Sequence, residues 1–155
     1  VFDQIETNSA YSTHENELID INQKGLENVF LFKGKNKKLS IFSNFSKSRK
    51  TNGQTQNRRP DLSYGVNYSK KFSLSQVGLF NLNLNYKYTG QYIDWDGVAN
   101  SKQKSTDIID LSLIKNLLGN TFFLKLSNLL NEKYEKPATY SQDGRQIKFG
   151  FKSIF

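Results

Sequence analysis

The chain has 155 residues and a formal net charge of +8, from 22 Lys and Arg against 14 Asp and Glu, and its mean hydropathy is −0.64. Cys and Met are both absent, which excludes a disulfide framework and any thiolate metal site. No apolar run reaches the roughly 18 residues of a membrane-spanning helix, yet aromatics are 14% of the chain, with 8 Tyr and 12 Phe, a balance suited to a sheet between two solvents and not to a disordered chain.

In chain order, a short segment VFDQIET (1–7) precedes a polar stretch SAYSTHENE, and the first long predicted strand runs from Leu18 to Lys33. The basic turn GKNKK (34–38) leads into LSIFSNFSKSR, and the polar connection KTNGQTQN reaches RRPDLSYGVNYSKKF. After the turn SLSQVG comes LFNLNLNYKYTGQY, whose Phe80, Leu82, Leu84, Tyr86 and Tyr88 share one face while Asn81, Asn83, Asn85 and Lys87 share the other. The long connection IDWDGVANSKQKST follows, then TDIIDLSLI, the turn KNLLGN, TFFLKLSN, the long stretch NLLNEKYEKPATYSQDG, and a last strand alternating Ile147, Phe149 and Phe151 with Gln146, Lys148 and Lys152. A period of two with one apolar face reads as β-strand throughout.

Short and long connections alternate to the end, which sorts the turns to one side and the loops to the other. Up-and-down outer-membrane barrels have this asymmetry, with short periplasmic turns and long external loops, and a closed meander leaves no backbone group unpaired in lipid. The predicted fold is therefore all-β, an antiparallel up-and-down transmembrane β-barrel wall of about eight strands. A soluble β-sandwich is disfavoured because the second face carries Asn, Lys, Asp and Ser continuously. Parity directs Glu27, Lys87, Asp110, Lys125 and Lys148 inward. Tyr64, Tyr86, Tyr88 and Tyr92 fall at outer strand ends and Phe72 and Phe155 at inner ends, as two aromatic girdles. Glycines at 25 and 65 permit bending or a close approach.

The basic residues are scattered through turns and strand faces with no helix or stacking platform to gather them, so no nucleic-acid partner is expected. His14 is the one histidine, which without Cys makes no histidine cage, and no Gly-x-Ser-x-Gly context occurs, so neither a metal centre nor an enzyme is expected. Arg58 and Arg59 at the outer rim suit phosphate, as in lipopolysaccharide, or plain solvation. Tyr92, Asp94 and Trp95 form the most chemically mixed outer loop, and Tyr140 lies in the last one; these are the candidate ligand contacts. Asp94-Trp95-Asp96-Gly97 has the start of a calcium loop without its later ligands, and an Asx-type turn is the favoured reading.

The ending SNLLNEKYEKPATYSQDGRQIKFGFKSIF resembles the C-terminus of TonB-dependent outer-membrane receptors, at Asn128, Leu129, Leu130, Asn131, Tyr134, Gly144 and Arg145. KGLENVFLF (24–32) resembles the family's Lys/Arg-Gly-hydrophobic-Glu strand, and RRP (58–60) its opening of a descending strand. Within the family, the RRP strand, YTGQYIDWD and the final hairpin look most like the cobalamin (vitamin B12) receptors. The resemblance implies that residues 1–155 are the C-terminal part of a barrel of about 22 strands, without the plug domain or TonB box. It further implies active uptake of a large scarce nutrient, cobalamin or, alternatively, an iron–siderophore, across the outer membrane of a Gram-negative bacterium, energised by TonB through the missing N-terminal region. Phe149, Phe151 and Phe155 resemble the signal read by the barrel-assembly machinery. A complete eight-stranded barrel with a structural or adhesive role is the other alternative; VFDQIET, about seven residues where a tilted spanning strand takes about 9–11, argues against it. No cofactor is implied.

Overall fold

The computed structural model describes residues 5–7, 14–16, 20–75 and 77–153. Two short strands, β1 (Ile5–Thr7) and β2 (His14–Asn16), pair with each other. The main sheet holds β3 (Ile21–Lys33), β4 (Lys37–Lys50), β5 (Leu62–Leu74), β6 (Gly78–Thr89), β9 (Thr106–Leu117), β10 (Asn120–Ser127) and β11 (Gln146–Lys152), every neighbouring pair antiparallel. Between β6 and β9 the chain leaves the sheet as a hairpin, β7 (Tyr92–Trp95) with β8 (Asn100–Gln103). The seven strands lie in chain order, so the predicted meander is present, with β3 and β11 at opposite edges of an open sheet. Two expectations are corrected. Of the segment at 1–7, the described residues Ile5–Thr7 pair with a strand inside the stretch read as a polar loop and not with this sheet, and the connection at 93–106 is largely a hairpin.

Register turns alternation into two chemically distinct surfaces, because directly opposed residues point to the same side. One face collects Leu26, Phe30, Phe45, Ile41, Val66, Leu84, Leu111, Leu124 and Phe149 through successive pairs such as Leu26↔Phe45, Tyr68↔Leu84, Leu84↔Leu111 and Leu124↔Phe149. Its interior polar residues are satisfied locally: Asn28 donates to the Ser43 hydroxyl at 3.3 Å, and near the long-loop end the Tyr86 hydroxyl donates to Asp107 at 2.7 Å. The other face collects Glu27, Asn44, Asn67, Asn83, Asn85, Lys87, Asp110, Ser112, Lys125 and Lys148, as parity predicts. Here the side chains hydrogen-bond across strands, Asn44 to Glu27 at 2.7 Å, Asn83 to Ser112 at 3.3 Å, and Asn85 to Asn67.

Nothing within the described residues covers the apolar face. Their only buried hydrophobic side chains are Ile21 and Ala138, whereas Phe149 is 87% exposed and Phe151 69%. A soluble domain buries such a face against a second layer; this sheet is one layer thick. Tyr64, Tyr86 and Tyr88 do cluster at the long-loop end, Tyr64 stacking on Tyr88 at 4.7 Å, and Phe72 stacks on Phe80 at 5.6 Å at the short-turn end. Tyr92 is not part of that girdle, since it belongs to the β7–β8 hairpin beyond the sheet, and Phe155 lies outside the described residues.

Two glycines are explained by packing. Phe42 opposes Gly65 and Phe123 opposes Gly150, and each ring lies over its glycine, where an added Cβ would come within 2.6 Å and 2.8 Å of ring carbons. The space at Gly65 is thus filled by a cross-strand ring of the same sheet. Gly65→Ala forces that ring and the Tyr86 carbonyl to move, and we expect it to lower stability by about 1–3 kcal/mol in denaturant titrations of the folded protein; adding Phe42→Ala relieves the ring clash but not the carbonyl, so part of the loss returns.

Candidate functional site

The three long connections, 51–61, 90–105 and 128–145, leave the same end of the sheet. They are knotted together by Asp94. Its Oδ1 accepts from Arg58 Nε at 2.6 Å and from the Trp95 N–H at 2.9 Å, while Oδ2 accepts from the Ala138 N–H at 2.9 Å. The Arg58 N–H also donates to the Ile93 carbonyl at 2.7 Å. One carboxylate, 1% exposed, therefore binds a residue from each connection. Burial pushes the Asp94 carboxyl up, but the Ala138 N–H, the Arg58 guanidinium and the Trp95 N–H outweigh it and hold the carboxyl below its usual range. A second ion pair at this end, Arg49 to Asp61, is bidentate at 2.7 and 3.1 Å.

A second knot lies at the foot of the last connection. Asn128 and Asn131 both adopt positive φ, 51° and 55°, which Asn tolerates better than most residues. The Asn128 N–H donates to Asp110 Oδ1 at 2.9 Å, its amide donates to the carbonyls of Glu132 and Asp143 at 2.8 and 3.2 Å, and its Oδ1 accepts from the Glu132 N–H at 2.8 Å. Asn131 Oδ1 accepts from the Arg145 N–H at 2.9 Å and sits where a Cβ on Gly144 would lie only 2.6 Å away. Asn128, Asn131, Gly144 and Arg145 thus form a loop clamp, which gives the Asn-Leu-Leu-Asn and Gly-Arg signature a physical reason.

Beneath the loops the polar face is hollowed. A cavity of about 340 Å³ is lined by Arg58, Pro60, Lys87, Tyr92, Lys136 and Pro137 among others, so cations, one phenol and two proline rings surround a site an anionic, partly apolar molecule suits. Burial and the Asp94 carboxylate push the Tyr92 phenol up, which keeps it a donor; its hydroxyl donates to the Glu135 carbonyl at 3.5 Å. Further along, a hollow of about 610 Å³ is walled by Asn67, Asn83, Asn85, Asp110, Ser112 and Lys125.

Of the residues singled out from sequence, the structure brings Tyr92, Asp94 and Arg58 together. Asp94 is not available to a ligand, because both its oxygens are spent on the loops. Trp95 alternates away from the cavity lining and is 44% exposed, and Tyr140 is 66% exposed and away from that lining. Arg59 lines a hollow with Glu27 and Ser63 on the polar face, so both rim arginines stand on the hollow side of the sheet. The Asx turn is present: Asp96 Oδ1 accepts from the N–H groups of Val98 and Ala99 at 2.9 Å each, with Gly97 at φ 102°. Nothing in the sequence points to Lys136 in the cavity lining, and the family resemblance marks Asn128 and Asn131 without the clamp that they form.

No family model matches the sequence, and no curated protein does either. Among solved structures the chain is similar to the ferripyoverdine receptor of the outer membrane of Pseudomonas aeruginosa bound to ferripyoverdine, with a TM-score of 0.73 at 13% identity, covering 96% of this chain and 22% of that one. It is similar to a chain of the FpvAI–pyocin S2 complex (TM-score 0.73, 13% identity, 96% and 23% covered) and to the FrpB iron transporter from Neisseria meningitidis, F3-3 variant (0.67, 12%, 96% and 26%). The chain spans about a quarter of the length of these structures. The likeness establishes the fold, an all-β antiparallel section of the kind that forms their barrels.

Asp94→Ala orphans the buried Ala138 N–H, a loss of about 1–3 kcal/mol, and removes the partner of the Trp95 N–H and of the solvent-exposed Arg58 guanidinium. We expect hydrogen-exchange protection of the Ala138 amide to fall about tenfold or more, with protection in β6 unchanged. Because the folded carboxyl is held down, its contribution is complete above the ordinary carboxylate value of about 3.9 and disappears as pH drops through the lower folded value. Loop protection should therefore be flat from pH 7 to about pH 4, once corrected for intrinsic exchange, and decline only below that.

Proposed function

We propose that this chain is part of the wall and outer mouth of an outer-membrane receptor that imports a large, scarce nutrient, with an iron–siderophore as the ligand and TonB as the energy source. The observation that carries the reading is the pairing of a bare apolar face with a polar, hollowed one, in a single sheet whose long connections all leave one end. In lipid, the apolar face is solvated by hydrocarbon, and the polar face looks onto water. Similarity to an outer-membrane receptor and an iron transporter supports transport over catalysis and supports the siderophore over cobalamin, for which the solved structures offer nothing.

In this reading Tyr92, Lys87, Arg58 and Lys136 contact the ligand, Trp95 and Tyr140 meet it on its approach, and Asp94 keeps the mouth in shape. The position of the arginines on the hollow side supports a contact with ligand over one with lipopolysaccharide. Phe149 and Phe151 face lipid and serve barrel assembly together with Phe155.

The test is growth of a strain lacking its own iron receptors, complemented with the full-length protein. Ferric siderophores should restore growth under iron limitation, TonB deletion should abolish it, and the double variant Lys87→Gln, Lys136→Gln should reduce uptake about tenfold or more, at roughly 1.4 kcal/mol per decade. Growth rescued by cobalamin alone would overturn the ligand, and folded protein with no rescue by either nutrient would overturn transport.

A further inference from the structure

The charge of the chain is not spread over the fold. Lys33, Lys35, Lys37, Lys38, Lys70, Lys71, Lys115 and Lys152 all lie at the short-turn end, on the evidence of register: Lys33 opposes Lys38, Lys37 opposes Lys70, Lys115 opposes Phe80, and Lys152 opposes Thr121 next to the turn at 118–119. The Lys71 N–H donates to the Asn36 carbonyl at 2.8 Å, which joins β5 to the basic turn. No Asp or Glu occurs in residues 28–60, 62–93, 111–131 or 144–155, and among the described residues none of the eight lysines has an ion-pair partner. The remaining fourteen basic residues are balanced by the 14 acidic ones, so these eight account for the whole net charge of +8. Segments that look scattered along the chain converge in the fold on one rim.

Resting on the membrane reading above, we propose that this rim is a docking surface for anionic phospholipid headgroups of the leaflet it meets. The lysines occupy both faces at one level. Lys37, Lys70 and Lys115 rise from the apolar face where its hydrocarbon band ends, beside the Phe72–Phe80 stack, and Lys115 Nζ lies 5.3 Å from the Phe80 ring centre. That is the arrangement of side chains whose stems lie along lipid and whose heads reach the phosphates. Lys33 and Lys38, paired across β3 and β4, and Lys71 continue the charge onto the polar face, where Lys38 and Lys71 line a hollow of about 440 Å³ with Lys35, Lys37 and Lys70. Every cation of the rim is Lys, whereas Arg49, Arg58, Arg59 and Arg145 belong to the long-loop end. Lys is a mobile point charge fitted to a diffuse layer of headgroups, where Arg would fit one fixed oxyanion. An acidic polypeptide would need only one side of the sheet and no lipid-facing lysines.

The experiment uses full-length protein in phosphatidylcholine bilayers with trace spin-labelled phosphatidylcholine or phosphatidylglycerol, read by electron paramagnetic resonance as the motionally restricted lipid at the protein boundary. We expect phosphatidylglycerol to be favoured by about threefold or more, since each Lys near the surface attracts anionic lipid. The preference should vanish in 1 M salt, where the screening length is about 3 Å, and in a variant with Lys33, Lys35, Lys37, Lys38, Lys70 and Lys71 each changed to Gln. Lys102→Gln with Lys133→Gln, at the opposite end, should keep it. Equal restriction of both lipids, or a preference that survives the sixfold change, overturns the proposal while leaving the membrane reading intact. No restricted component for either lipid removes both. Should the sixfold variant fail to fold, the salt titration of the unaltered protein still decides.

Discussion

A single layer of antiparallel strands, its apolar side covered by none of the described residues, is the constraint on which the rest depends. Strands β4, β5, β6, β9 and β10 are each paired on both sides, so between the two edges the sheet needs no core to satisfy its amides. The residue types then divide between two solvents: Leu84, Leu111 and Phe149 on one side, Asn85, Asp110 and Lys148 on the other. In water that division would leave rows of aromatic and branched side chains exposed, with the whole hydrophobic free energy of the sheet unclaimed. In a bilayer the same rows are the stable side, and a charge placed among them costs about 2–4 kcal/mol at the midplane.

The two ends of the strands then solve different problems. At the long-loop end, three connections with little apolar content of their own are held by polar knots, one on the buried carboxylate of Asp94 and one on the amides of Asn128 and Asn131. These fix a cationic, tyrosine-bearing hollow above the polar wall without a hydrophobic core beneath it. At the short-turn end the described residues form no such knot, and the lysines there have no ion-pair partner among them. On the functional reading proposed above, the long-loop end would recognise a discrete molecule and the short-turn end would meet a charged surface.

Strand positions, faces and the sorting of turns from loops were legible in the sequence, since a period of two is written residue by residue. Glu27, Lys87, Asp110, Lys125 and Lys148 occupy the polar face that parity assigned them. Contacts between loops were not legible, because Arg58, Asp94 and Ala138 are separated by 36 and 44 positions and no periodic signal links them. Asp94 looked like a ligand contact for its chemistry and is a brace because of its surroundings; Tyr92 looked like a girdle residue because the hairpin that lifts it off the sheet has no distinct signature. The basic rim was hidden for a related reason: Lys33–Lys38 and Lys70–Lys71 are distant in sequence, and only the β4–β5 register makes them neighbours.

Because the chain has no Cys, single cysteines introduced at Leu84, Leu111 and Phe149, and at Asn83, Asn85 and Lys148, report the two faces directly in the full-length protein reconstituted into lipid. The inverted sheet predicts that a fluorescent bimane-type label on the first three is quenched by lipid-borne quenchers and protected from aqueous ones, with the reverse for the second three. Labels at Leu84 and Phe149 that are reached by aqueous quenchers while those at Asn83 and Lys148 are reached from lipid, or no difference between the two sets, would contradict the account.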